Sequence, residues 1–65
     1  MPIVQVSILE GRDEQQKAAF AAQVTNAAVE TLNVKPEQVR VLITEIQPQN
    51  WFTAGKAKAP PQKGS

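Results

Sequence analysis

Pro2, Arg12 and Arg40 have the types and spacing for acid–base chemistry on an anion. Pro2 directly follows the initiator methionine. Enzymes that trim Met1 accept small penultimate residues, proline among them, and trimming leaves a free secondary amine at the start of a strand. Such a group is a base with no flexible side chain, held in place by the backbone behind it. Free α-amino groups titrate near pH ~8, against roughly 10.4 for lysine. A modest further depression brings the amine to the range that general-base work at neutral pH favours. Arg12 and Arg40 are the only arginines in the chain. A guanidinium stays charged and holds a planar carboxylate through two parallel hydrogen bonds. The mundane alternatives are that Met-Pro is a common start without consequence, and that both arginines sit in weak surface ion pairs with Glu10, Asp13 or Glu45.

Composition narrows the chemistry further. At 65 residues the chain is one domain, near the lower size limit for folding alone. It has no cysteine and no histidine. Disulfides and thiolate ligation are therefore excluded, structural zinc and most transition-metal sites are disfavoured, and a Ser-His or Cys-His nucleophile cannot be built. Acid–base work near neutral pH falls to a shifted carboxylate, a shifted lysine or the amino terminus. The net charge of +1 is too weak to argue for nucleic acid or a membrane surface. No apolar run is long enough to cross a bilayer, and the first residues lack the basic and apolar regions of a signal peptide. The expectation is a soluble cytoplasmic protein.

The elements that position these residues are readable from pattern. Ile3–Leu9 reads as a strand, with Val4, Val6 and Ile8 on one face and Gln5 and Ser7 on the other. Gly11 permits a turn conformation that other residues resist. Asp13 is a good helix N-cap, and Gln16 three residues on completes a capping-box pattern. A helix from Glu14 to Leu32 follows, with Phe20, Val24, Ala27, Ala28, Thr31 and Leu32 as its apolar stripe. Asn33 is a left-handed stop, and Pro36 prevents continuation. Val39–Ile46 is a second strand, with Val41 and Ile43 facing one way and Arg40, Leu42 and Thr44 the other.

Strand, helix, strand at this spacing is a single βαβ unit of the α/β class, with parallel strands and a right-handed crossover. It occupies residues 1–56. Residues 57–65, rich in Ala, Pro and Lys, read as a flexible tail. Two parallel strands and one helix leave both sheet edges open, so the fold needs other subunits. Parallel strands place Arg40 near the Pro2 end of the sheet. Arg12 lies near the opposite end, so it reaches a Pro2 site from a neighbouring subunit.

The run Pro2-Ile3-Val4-Gln5-Val6-Ser7-Ile8-Leu9-Glu10-Gly11-Arg12 closely resembles the opening of the 4-oxalocrotonate tautomerase family. Asp13-Glu14-Gln15-Gln16-Lys17 and Val39-Arg40-Val41-Leu42-Ile43-Thr44-Glu45 continue the likeness, which runs without gaps from Pro2 to about Trp51. The resemblance implies βαβ subunits assembled as a homohexamer, a trimer of dimers. It implies keto–enol tautomerisation of a small anionic 2-hydroxydienoate or 2-oxo acid, with no metal or organic cofactor. Pro2 would be the general base after Met1 removal. Arg12 would bind a substrate carboxylate and stabilise charge near the 2-oxo oxygen. Arg40, from another subunit, would bind the far carboxylate or the carbonyl oxygen. Leu9 would line the pocket and Trp51 would form an apolar wall. Two guanidinium groups and an apolar wall disfavour an ammonium, so the proline is expected to titrate low.

The pattern departs from the family after Trp51. Phe52-Thr53-Ala54-Gly55-Lys56 keeps one glycine, Gly55, where the family often uses several to make a small hairpin. Either the hairpin is reshaped or Phe52 intrudes on the pocket. Trp51 and Phe52 also suit a subunit interface. Related hydratase or dehalogenase chemistry asks for an added water-activating carboxylate, for which nothing promotes Glu10, Glu37 or Glu45. If Met1 stays, Pro2 is an amide without basicity and the chain is a non-catalytic oligomeric scaffold. Nucleic-acid binding by Lys56, Lys58 and Lys63 is disfavoured by the low net charge and the absence of interleaved aromatics.

Overall fold

The computed structural model describes residues 1–59. Strand β1 (Ile3–Leu9) leads through a short loop to helix α1 (Glu14–Leu32). A 3-10 turn at Pro36–Gln38 precedes β2 (Arg40–Ile46), and a second at Pro48–Asn50 precedes a hairpin of β3 (Phe52–Thr53) and β4 (Lys56–Ala57). β1 and β2 pair in parallel, in a register that runs from Ile3 opposite Arg40 to Leu9 opposite Ile46. The βαβ architecture expected from sequence is the one observed.

Both ends of α1 are set by the residues that flank it. Asp13 Oδ1 accepts from the Gln16 backbone N–H at 2.8 Å, and Gln16 Oε1 accepts from the Asp13 N–H at 3.1 Å. This reciprocal capping box satisfies two donors that a helix start otherwise leaves unpaired, and such a cap contributes about 1 kcal/mol. Asn33 ends the helix at φ 57, ψ 49, a left-handed conformation that asparagine tolerates.

The inward side of α1 keeps Val24 and Ala28 of the stripe read off the sequence and differs in the rest. Lys17, Ala21, Val24, Thr25, Ala28 and Val29 are its buried and half-buried residues. Phe20 and Leu32 are 44% and 58% exposed, and Ala27 and Thr31 are exposed as well. Besides Val24 and Val29 the true stripe passes through Lys17, Ala21, Thr25 and Ala28, which carry little hydropathy signal, so the large apolar side chains of Phe20 and Leu32 dominate the sequence pattern. Val39 is a second adjustment. It is buried and caps the 3-10 turn, its N–H donating to the Pro36 carbonyl, and β2 begins one residue later.

The chain encloses very little. Among the described residues only Ala28 and Val39 are buried, each 8% exposed. The helix-facing residues Val4, Val6, Ile8, Val41 and Ile43 are half-buried. The other face of the sheet has no cover among the described residues. It carries Ile3, 59% exposed, and Leu42, 49% exposed, with Leu9 and Ile46 at its far end.

The hairpin forms with one glycine. Its two central residues, Ala54 at φ 53 and Gly55 at φ 79, both have positive φ, the requirement of the type I′ turn that matches strand twist. Phe52 joins β3 and is 62% exposed. Pairing reaches Ala57, and the Lys58 N–H donates to the Trp51 carbonyl at 2.8 Å. Of the tail read from sequence, residues 60–65 lie outside the described residues. Alanine at positive φ costs on the order of 1 kcal/mol through its Cβ. Ala54→Asn, which creates the favoured Asn-Gly pair, is expected to stabilise the protein by about 0.5–1 kcal/mol. An unchanged or lower urea midpoint refutes this.

Candidate active site

Pro2 and Arg40 meet at one end of the sheet. The Arg40 N–H donates to the Pro2 carbonyl at 3.0 Å, extending the parallel ladder by one bond. Pro2 is half-buried, while Met1 ahead of it is 77% exposed. The Arg40 side chain is exposed and anchored by one nitrogen. Its Nη1 donates to the Glu37 carbonyl at 2.7 Å and to the Val39 carbonyl at 3.3 Å. These carbonyls belong to the 3-10 turn and its cap, and Pro36 at the first position of that turn pre-sets its backbone. A guanidinium has five N–H donors, so this anchoring leaves Nε and Nη2 available to an anion.

Arg12 lies at the other end. Seven strand residues separate the two termini of β1, a span of roughly 20 Å at ~3.3 Å per residue. A single chain therefore does not bring Arg12 to Pro2. The loop that holds Arg12 is tightly defined. The Glu10 N–H donates to the Ile46 carbonyl at 3.0 Å, Gly11 takes φ +126, and Asp13 begins the capping box. A side chain at Gly11 would be strained by that backbone conformation. Arg12 borders an open groove of about 160 Å³ with Ile8, Gln16, Lys17, Phe20 and Ile43. A second open groove, of about 340 Å³, adjoins it and is lined by Glu14, Lys17, Ala18, Ala21, Ile43 and Glu45.

The ion pairs considered for the arginines are not the ones present. Among the described residues neither arginine has a carboxylate within salt-bridge distance; Lys17 takes that role. Its Nζ donates to Glu14 at 3.0 Å and to Glu45 at 3.1 Å. These two bonds, Glu14 first and Glu45 second, raise the Lys17 ammonium above its ordinary value, so it stays charged across neutral pH. The Glu14–Lys17 spacing was visible in the sequence as an i,i+3 pair. The Glu45 contact joins residues 28 apart and needed the parallel register before it became visible.

Leu9 and Trp51 line neither groove of the single chain. Leu9 ends β1 opposite Ile46, half-buried on the uncovered sheet face. Trp51 is half-buried between the second 3-10 turn and β3, its N–H donating to the Pro48 carbonyl at 3.2 Å. Phe52 also stands clear of both grooves.

Parallel β1 and β2 joined through one helix, with a short C-terminal hairpin, is the fold of a tautomerase, and comparison with known proteins agrees. The family model described as tautomerase enzyme matches residues 2–59. A probable tautomerase of Ralstonia nicotianae is 44% identical over 66 residues, covering 95% of this chain and 94% of the relative. A 2-hydroxymuconate tautomerase of a Pseudomonas species is 47% identical over 55 residues, covering 85% and 86%. Among solved structures, a heterohexameric 4-oxalocrotonate tautomerase of Chloroflexus aurantiacus superposes with a TM-score of 0.87 at 32% identity, covering 95% of this chain and all of that one. This chain belongs to the tautomerase family.

Proposed function

We propose that the protein is a cofactor-independent isomerase that ketonises a small anionic 2-hydroxydienoate or 2-oxo acid, with Pro2 as general base once Met1 is removed. The observation that carries this reading is the backbone pairing of Arg40 with Pro2, which puts an arginine-bearing strand at the Pro2 end of the sheet, with its guanidinium anchored on the Glu37 carbonyl. The free amine takes a proton from one position of the conjugated acid and returns it to a carbon, so the substrate is rearranged without gain or loss of atoms. The arginines bind its carboxylates and stabilise the dienolate that forms between the two transfers. Leu9 and Trp51 supply apolar walls that strengthen both effects. The sequence relationship to 2-hydroxymuconate tautomerases supports this substrate class.

The complete site is assembled from several copies. Each strand of the two-stranded sheet has one open edge. Antiparallel pairing of two β1 edges about a two-fold axis would carry each Arg12 toward the partner's end of the sheet where Pro2 lies. The uncovered face bearing Ile3 and Leu42 then packs dimer against dimer, giving a homohexamer built as a trimer of dimers. The heterohexameric relative supports six βαβ subunits as a workable assembly.

Ultraviolet assay of 2-hydroxymuconate ketonisation, on protein whose intact mass shows Met1 removed, tests the reading; no turnover above the solution rate refutes it. Arg12→Ala and Arg40→Ala each delete a charge-assisted contact of about 1.5–3 kcal/mol. Each is expected to lower kcat/KM by roughly 10- to 100-fold. An arginine whose removal leaves kcat/KM unchanged has no part in the site.

A further inference from the structure

We infer that Lys17 is a positioning residue that keeps Arg12 available to the substrate by holding Glu14 and Glu45 away from it; this rests on the proposed role of Arg12 as a carboxylate ligand. Four acids stand near Arg12 in sequence or space: Glu10, Asp13, Glu14 and Glu45. The Asp13 carboxylate accepts from the Gln16 N–H within the capping box. Glu14 and Glu45 both accept from Lys17 Nζ. Lys17 and Ile43 line both grooves, so the ammonium forms part of the wall between the one bordered by the two carboxylates and the one bordered by Arg12. The Lys17 side chain is 17% exposed, against 92% for Glu14 and 35% for Glu45. It is the most buried of the three side chains. With Lys17 in place, the charges of Arg12, Lys17, Glu14 and Glu45 sum to zero. Without it they sum to −1, and two freed carboxylates compete with the substrate for the one guanidinium within reach.

The test is steady-state ketonisation of 2-hydroxymuconate. Lys17→Met keeps the length and apolar stem of the side chain and removes its charge. It is expected to raise KM about three- to fivefold, the weight of one exposed ion pair, with kcat within about twofold of wild type. Lys17→Arg is expected to restore KM. Lys17→Met combined with Glu14→Gln and Glu45→Gln also restores it, since the two carboxylates that Lys17 held are then gone. A merely structural role would not be rescued by removing two further hydrogen-bonded charges. Should Lys17→Met fail to fold, Glu14→Gln/Glu45→Gln with Lys17 retained carries the test. With Lys17 retained those carboxylates are already held away from Arg12, so KM is expected to stay within about twofold of wild type; a fall of about fivefold or more overturns the inference, because it shows the two acids competing despite Lys17. Active wild-type enzyme with an unaltered KM in Lys17→Met refutes the role of Lys17 alone. Inactive wild-type enzyme refutes the function on which it rests.

Discussion

Replacing Pro2 by alanine is expected to reduce kcat for ketonisation by about 10²-fold or more, and leaving Met1 attached by up to about 10⁴-fold, the full range of general-base catalysis. The two losses differ for a physical reason. Alanine at the terminus keeps a primary amine, which is basic but free to rotate away from the reacting carbon. Proline fixes its nitrogen by a ring joined to the backbone, and that backbone is tied to β2 by the Arg40 N–H. A retained methionine turns the same nitrogen into an amide with no basic lone pair. Intact mass distinguishes processed from unprocessed protein, and initial rates under saturating substrate give kcat for each. Full activity in Pro2→Ala, or in protein that carries Met1, eliminates Pro2 as the base. The second result would favour a scaffold or a base elsewhere.

Leu42→Asp is expected to have the largest effect on the protein itself. In an isolated chain Leu42 is 49% exposed, and exchanging a surface residue for aspartate alters stability by only about 0.5 kcal/mol. In the proposed hexamer the same position lies between packed sheets. An unpaired carboxylate there costs several kcal/mol per subunit, repeated at every copy. Sedimentation velocity at micromolar concentration is expected to show a hexamer for the wild type. For Leu42→Asp it is expected to show monomers or unfolded chains, with ketonisation lost. A variant that sediments and turns over like the wild type would show that this face is not an interface.

Much of the fold was legible because its signals are local. The alternation of Val4, Val6 and Ile8 defines β1, and Asp13 with Gln16 writes the helix start in a two-residue code that the structure reproduces atom for atom. Asn33 and Pro36 mark where the helix must end. What escaped the sequence depended on partners or on atypical residues. The inner stripe of α1 runs through Lys17, Ala21 and Thr25, which no hydropathy count would choose. Ala54 occupies a positive-φ turn position that glycine or asparagine would have announced. The backbone pairing of Arg40 at the Pro2 end of the sheet follows from the parallel arrangement that the sequence pattern predicts. The division of labour among the acids around Arg12 was hidden, because Lys17 joins Glu45 only once the register fixes where β2 passes the helix.

With only Ala28 and Val39 shielded from water among the described residues, residues 1–59 of one polypeptide lack the interior that would hold them together against chain entropy. In the proposed hexamer, folding would be a multimolecular event: a newly synthesised copy would gain its structure and its chemistry in the same encounter. Dilution should erode conformation and turnover together, and the cell's level of this protein would act as a threshold for activity as well as a multiplier of it.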